Sequence, residues 1–314
     1  MSVSTLVSMQ STIDVGGLTK RYGRVVAVDD LTFTVRPGEV TGFIGPNGAG
    51  KSTTMRLIMG LDFPQAGTAT VAGHRYRDLT EPLTTMGTLL DASAPHPART
   101  ARNHLRWLAH SNGISSARVG AVLAQVGLES AADRRVGGFS LGMRQRLGIA
   151  AALLGDPPIL MLDEPATGLD PEGIVWIRGL LRGLAAMGRA VLVSSHLMSE
   201  LQDTADHLLI IGRGRLIADT PTAELLARAS GDRIDVRTQM ATEAMTVLAG
   251  AGAVVTTSEA QVVTVTGLPG EQVVSLLSGA GVRYSELRQH RATLEEAYME
   301  LTREVTEFAA AEAS

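Results

Sequence analysis

The chain has 314 residues, 45% hydrophobic and 19% charged, which excludes a disordered chain and leaves room for one large domain plus a smaller one. Its 28 basic and 32 acidic residues give a net charge of −4, which argues against a protein that works by neutralising nucleic-acid phosphates. It has no cysteine, so disulfides, thiolate metal sites and a cysteine nucleophile are excluded, and a reducing compartment fits.

Residues 1–11 lack the basic start and long apolar stretch of a signal peptide and are expected to be a flexible N-terminus. Residues 12–44 predict short strands; Leu31, Phe33 and Val35 alternate with polar residues and stop at Pro37-Gly38. Val40 to Ile44 predicts an apolar strand running into a glycine-rich loop, and Met55 to Met59 the helix after it, closed by Gly60. Residues 98–155 predict helices. Ile159 to Leu162 and Ala190 to Val193 are continuous apolar runs, as in strands buried on both faces of a parallel sheet. His207 to Asp219 predicts a hairpin around Gly212-Arg213-Gly214. No segment reaches the ~18 consecutive apolar residues of a membrane-spanning helix, so any membrane contact is expected through a partner.

The pattern changes at Ala229-Ser230-Gly231-Asp232, which places a boundary between a domain of residues 12–228 and another of residues 232–314. The second predicts a strand at Ile234 and Val236, a helix from Thr242 to Leu248, strands from Ala253 to Thr257 and from Val262 to Thr266, a helix from Pro269 to Leu277, and a strand from Val282 to Leu287. This βαββαβ order is that of a ferredoxin-like α+β domain. A last helix begins at Thr293, where Thr293 and Glu296 have capping-box spacing. Leu294, Ala297, Tyr298, Leu301, Val305 and Phe308 make one apolar face of it. If Val305 and Phe308 meet a second subunit, this domain would hold a dimer together.

Gly45-Pro46-Asn47-Gly48-Ala49-Gly50-Lys51-Ser52 fits G-x-x-x-x-G-K-[ST], follows a strand and opens a helix that continues with Thr53. Glycines let backbone N–H groups encircle phosphate oxygens, and the helix N-terminus adds its positive dipole end. Lys51 would reach the β- and γ-phosphates, and the Ser52 hydroxyl would coordinate Mg²⁺. Lys51 is one of only two lysines, the other being Lys20; every remaining basic residue is arginine. A position that stays lysine in such a chain points weakly to a need for a compact ammonium. Asp163 and Glu164 end the apolar run Ile159 to Leu162, where alternation sends adjacent side chains apart. Asp163 would then serve the Mg²⁺ shell and Glu164 would polarise the attacking water.

Together these elements resemble the ATP-binding subunit of an ABC transporter, over roughly residues 12–225. The resemblance implies an α/β domain with a mixed sheet core, an antiparallel β subdomain and a helical subdomain. It implies ATP and Mg²⁺ as ligands, ATP hydrolysis coupled to transport, separate membrane permease subunits, and a second copy of the ATPase forming a dimer at the cytoplasmic side of the membrane. Between the two Walker motifs of this family lies a signature, L-S-G-G-Q; here Phe139-Ser140-Leu141-Gly142-Met143 stands there, and Ser140 and Gly142 match. These would face the γ-phosphate of a nucleotide held by the second subunit. Ala166-Thr167-Gly168-Leu169-Asp170 resembles the family's D-loop, and His196 its switch histidine. Tyr22, 23 residues before Gly45, matches the aromatic residue that stacks on adenine. The family's loop glutamine is missing, and alignment of Met86-Gly87-Thr88-Leu89-Leu90-Asp91 puts Asp91 in its place, where it would hold a Mg²⁺-bound water. Ser140 to Ala152 and Thr293 to Thr302 resemble the drug- and antibiotic-export branch. A soluble ABC ATPase acting on ribosomes or DNA fits less well, because there is one phosphate loop and no heptad run. The last helix also carries six Glu and one Arg from Thr293 to Ser314. A weakly hydrolysing regulatory subunit is the third reading, motivated by Asp91 and the altered signature.

Overall fold

The computed structural model describes residues 12–230, 233–259 and 261–301. The chain opens with two long strands rather than several short ones: β1 (Ile13–Tyr22) pairs antiparallel with β2 (Val25–Val35). Bulges keep them continuous while they bend. The register shifts between Val15 and Leu18, and Gly17 and Asp30 take left-handed φ values of 59° and 55°. The next strand, β3 (Val40–Ile44), is buried at every position and leads through the glycine-rich loop into helix α1 (Lys51–Ile58). That helix starts at Lys51, one turn before the apolar pattern shows it, because Gly50 caps it in a left-handed conformation at φ 108°. Strand β4 (Ala66–Val71) completes an antiparallel sheet in the order β2-β1-β4.

Beyond β5 (Met86–Leu89) the chain turns helical, with α2 (Ala101–Ser111), α3 (Ala117–Gln125) and α4 (Leu141–Ala152). Strand β6 (Ile159–Leu162) and β7 (Ala190–Ser195), joined through helix α5 (Pro171–Ala186), are apolar runs buried throughout. Burial on both faces is the reason that they lack alternation. With the hairpin of β8 (His207–Gly212) and β9 (Arg215–Pro221) they form a mixed six-stranded sheet, β5-β6-β7-β3-β8-β9, parallel except at β9. A core of Ile13, Leu18, Leu31, Phe33, Phe43 and Met55 joins the antiparallel sheet to this one, with the Phe33 and Phe43 ring centroids 5.6 Å apart.

By internal contacts the chain divides into two units between Thr222 and Ala223. Helix α6 (Thr222–Ser230) thus falls mostly with the second unit, ahead of the boundary read from residues 229–232. The second unit contains β10 (Arg233–Arg237), α7 (Ala241–Gly250), β11 (Val254–Glu259), β12 (Val262–Thr266), α8 (Gly270–Gly279) and β13 (Glu286–Gln289). Its sheet is antiparallel throughout, in the order β11-β12-β10-β13, which is the ferredoxin-like arrangement. Ala244, Leu248, Val273 and Leu277 of the two helices cover Ile234, Val236, Val263 and Val265. The last strand begins four residues later than the apolar run from Val282 suggests, because Gly281 turns the chain at φ 70° and Val282 is spent on the core. Thr293 and Glu296 form both bonds of the capping box, at 2.9 and 3.2 Å, ahead of the helical residues 294–301. Leu294 and Ala297 of the apolar face are buried, while Val305 and Phe308 lie outside the described residues. No helix among the described residues is long and apolar enough to cross a membrane.

Candidate active site

In parallel sheets ligands gather beyond the carboxyl ends of the strands. Three such ends meet here: the loop after β3, the acid pair after β6 and His196 after β7. The loop has no room for a side chain at Gly45 or at Gly50. A Cβ on Gly45 would stand 2.5 Å from the Ile211 carbonyl, and one on Gly50 2.4 Å from that of Ala27. Between them Gly48 takes φ 79°, and the Ala49 N–H donates to the Pro46 carbonyl at 3.0 Å. The loop surrounds a cavity of about 410 Å³ lined by Pro46, Asn47, Gly48, Ala49, Gly50, Lys51, Ser52 and Thr53, with Ala27, Glu164, Thr167 and His196 closing it.

Lys51 is only 7% exposed. Its Nζ donates to the Gly45 carbonyl at 2.6 Å and lies 3.9 Å from Glu164 Oε1. Burial lowers its pKa below the ordinary lysine value, against the opposing charges of Glu164 and Asp163. Ser52 Oγ donates to Asp163 Oδ2 at 2.6 Å, so loop and acid pair are joined across the intervening strand. His196 Nδ1 lies 2.8 Å from Glu164 Oε2. Glu164 itself has a left-handed φ of 49°. Its N–H donates to Ser194 Oγ at 2.9 Å, and its carbonyl accepts from Gln145 Nε2 at 2.8 Å.

Ser194 and Gln145 are the residues that sequence reasoning missed. The Ser194 hydroxyl also donates to Asp163 Oδ1, so one side chain on β7 holds both acids of β6. Its only signal is a polar residue at the end of an apolar strand, just before His196.

The remaining candidates do not line this cavity. Ser140 caps α4, accepting the Met143 N–H at 3.2 Å, and Asp170 caps α5, accepting the Gly173 N–H at 2.9 Å. Gly142 is packed so closely on the loop before Asp170 that a Cβ there would lie 2.8 Å from the Gly168 carbonyl. Asp91 follows β5, whose Leu89 carbonyl accepts the Asp163 N–H at 2.7 Å. Asp91 Oδ1 accepts from both the N–H and the hydroxyl of Ser93 at 2.7 Å, which holds its pKa below the usual carboxylate value. Tyr22 is 46% exposed, and its hydroxyl donates to Asp62 Oδ2 at 2.9 Å.

A family described as "ABC transporter" matches residues 28–167, and a domain of unknown function matches residues 232–295. The bacitracin transport ATP-binding protein of Bacillus licheniformis is 40% identical over 223 residues, covering 70% of this chain and 73% of that protein. The Nod factor export ATP-binding protein I of Ralstonia nicotianae is 38% identical over 230 residues, covering 70% of each. A solved ATP-binding subunit of an ABC transporter superposes with a TM-score of 0.63 at 31% identity, covering 69% of this chain and 92% of that one.

Proposed function

The chain belongs to the ATP-binding subunits of the ABC transporters, which are ATPases coupled to transport, and from that premise we propose that it powers export of a drug, an antibiotic or another amphipathic compound through a separate membrane permease. The names of its bacitracin-transport and Nod-factor-export relatives support this substrate class. The observation that carries the hydrolytic role is the 2.8 Å pairing of Glu164 with His196 at the mouth of the phosphate loop.

In this reading Lys51 exchanges its contact with the Gly45 carbonyl for phosphate oxygens, and the loop amides hold the β-phosphate. Glu164 Oε1 takes the proton of the attacking water as the new oxygen–phosphorus bond forms and the bond to ADP breaks. His196 orients that carboxylate and faces the γ-phosphate. Ser52 and Asp163 are hard oxygen donors 2.6 Å apart, a set that fits Mg²⁺. Ser52 and Asp163 would hold the ion together with nucleotide phosphates and water. When bound, Mg²⁺ neutralises charge on the phosphate oxygens. Asp91 would hold a Mg²⁺-bound water. Tyr22 stacks on adenine.

Two copies then sandwich two ATP molecules, each held by one copy's loop and by Ser140, Gly142 and Asp170 of the other. The subunit sits at the cytoplasmic face, held to the membrane by its permease. Glu164→Gln should keep ATP binding and lower turnover by about 10²–10⁴-fold, whereas Lys51→Ala should weaken ATP binding itself. Nucleotide titration beside steady-state ATPase assays reads both. Normal turnover in Glu164→Gln would refute the catalytic assignment. A regulatory subunit without hydrolysis is disfavoured by the Glu164–His196 pair. ATPase activity that ignores membranes carrying a permease would favour a soluble role.

A further inference from the structure

The aromatic end of the nucleotide site is braced by charged groups that the phosphate chemistry does not use. The Tyr22 hydroxyl donates to Asp62 Oδ2 at 2.9 Å, and the same oxygen accepts from Arg56 Nε at 2.7 Å. Lys20 Nζ stands over the Tyr22 ring, 5.0 Å from its centroid, and is itself fixed by donating to the Phe63 carbonyl at 2.7 Å. The segment carrying Asp62 and Phe63 is fastened to β1 as well. The Arg21 N–H donates to Gln65 Oε1 at 2.9 Å, and Gln65 Nε2 donates to the Arg21 carbonyl at 3.1 Å.

An exposed tyrosine on a strand end has two free χ angles, and a stacking platform loses affinity if it must be ordered on binding. Here the hydroxyl end is pinned to Asp62, and through it to Arg56 of α1, and an ammonium occupies one side of the ring. Tyr22 is 46% exposed, which leaves ring surface for a flat ligand. We infer that Lys20 and Asp62 are positioning residues that fix the Tyr22 ring as a one-faced platform for the nucleobase. This rests on the assignment of Tyr22 to the base in the preceding section.

Inorganic tripolyphosphate separates base from phosphate recognition, because it engages the loop but has no base. Steady-state ATPase assays on the full chain, with tripolyphosphate as competitive inhibitor, test the inference. Lys20→Met and Asp62→Asn should each raise KM for ATP by about two- to fivefold, with a smaller effect on kcat. The inhibition constant of tripolyphosphate should stay within about twofold of the parent. Lys20→Arg, which keeps a cation over the ring, should restore most of the lost affinity. Tyr22→Ala should raise KM by about fivefold or more, again without moving tripolyphosphate. If Tyr22→Ala behaves so while Lys20→Met and Asp62→Asn match the parent, the brace is refuted and the Tyr22 assignment stands. If Tyr22→Ala leaves the ATP-to-tripolyphosphate ratio unchanged, the assignment fails and the inference with it. Equal losses for both ligands in Lys20→Met and Asp62→Asn would make the brace a support of the loop alone and overturn the inference.

Discussion

At the residue scale, Glu164 is held in a conformation that costs a non-glycine residue about 1–2 kcal/mol. Ser194 and Gln145 hold its backbone there, so its carboxylate points at the phosphate cavity by construction of its neighbours. Ser194→Ala would strand the Glu164 N–H and remove one Asp163 partner. Leaving a part-buried donor unsatisfied costs the fold about 1–3 kcal/mol, and loss of the partner shared by Glu164 and Asp163 should misplace both carboxylates and lower kcat by about tenfold or more. Nucleotide affinity in the presence of a chelator should change little; isothermal titration beside rate measurements checks both. Asp91 gives a second test. Asp91→Ala should lower turnover and raise the Mg²⁺ requirement, and Asp91→Gln should be tolerated; parent-like rates and Mg²⁺ curves in both would remove Asp91 from the site. The phosphate loop and acid pair were legible because each is a contiguous string with its own chemistry. Ser194 was not, because its role exists only once β7 lies between β3 and β6.

At the element scale, the helical region contains a buried histidine whose protonation would work against folding. His104 of α2 is 8% exposed, and its Nδ1 has no hydrogen-bond partner. Burial, and then the Arg99 cation, hold its pKa below the ordinary 6.5. Above pH 6.5 it is neutral both folded and unfolded. As pH falls through 6.5, the unfolded chain gains a proton that the folded chain refuses, so stability falls. His104→Leu should therefore flatten the acid limb of a Tm-against-pH curve; an unchanged slope would assign the acid sensitivity to other groups. Element identities were legible wherever burial is two-sided, as in β3, β6 and β7. Boundaries were misread where backbone geometry overrides pattern: the bulges of β1 and β2, the left-handed cap of α1, and the turn at Gly281.

At the scale of the whole molecule, each unit has its own apolar core. The phosphate loop, acid pair and His196 all lie in the first. A chain ending at Ser230 should therefore bind ATP as the full chain does. It should also dimerise less without nucleotide, if the last helix holds the subunits together as its apolar face suggests. Burying one exposed Val or Phe at such a contact contributes roughly 1.5–3 kcal/mol, enough to shift a weak dimer about tenfold or more. Light scattering on both chains would decide; equal dimer fractions would confine that helix to its own unit.

The two lysines have a practical consequence. Lys51 is buried, with its amine against the Gly45 carbonyl, while Lys20 is half-buried beside an aromatic ring. Amine-directed acylating reagents therefore find Lys20 as the accessible lysine, and in the reading that places the nucleobase on Tyr22 that target borders the nucleotide site. The extent of Lys20 acylation, read by mass spectrometry, becomes a footprint of site occupancy that needs no engineered label. Elsewhere the cationic surface is guanidinium, which such reagents leave untouched.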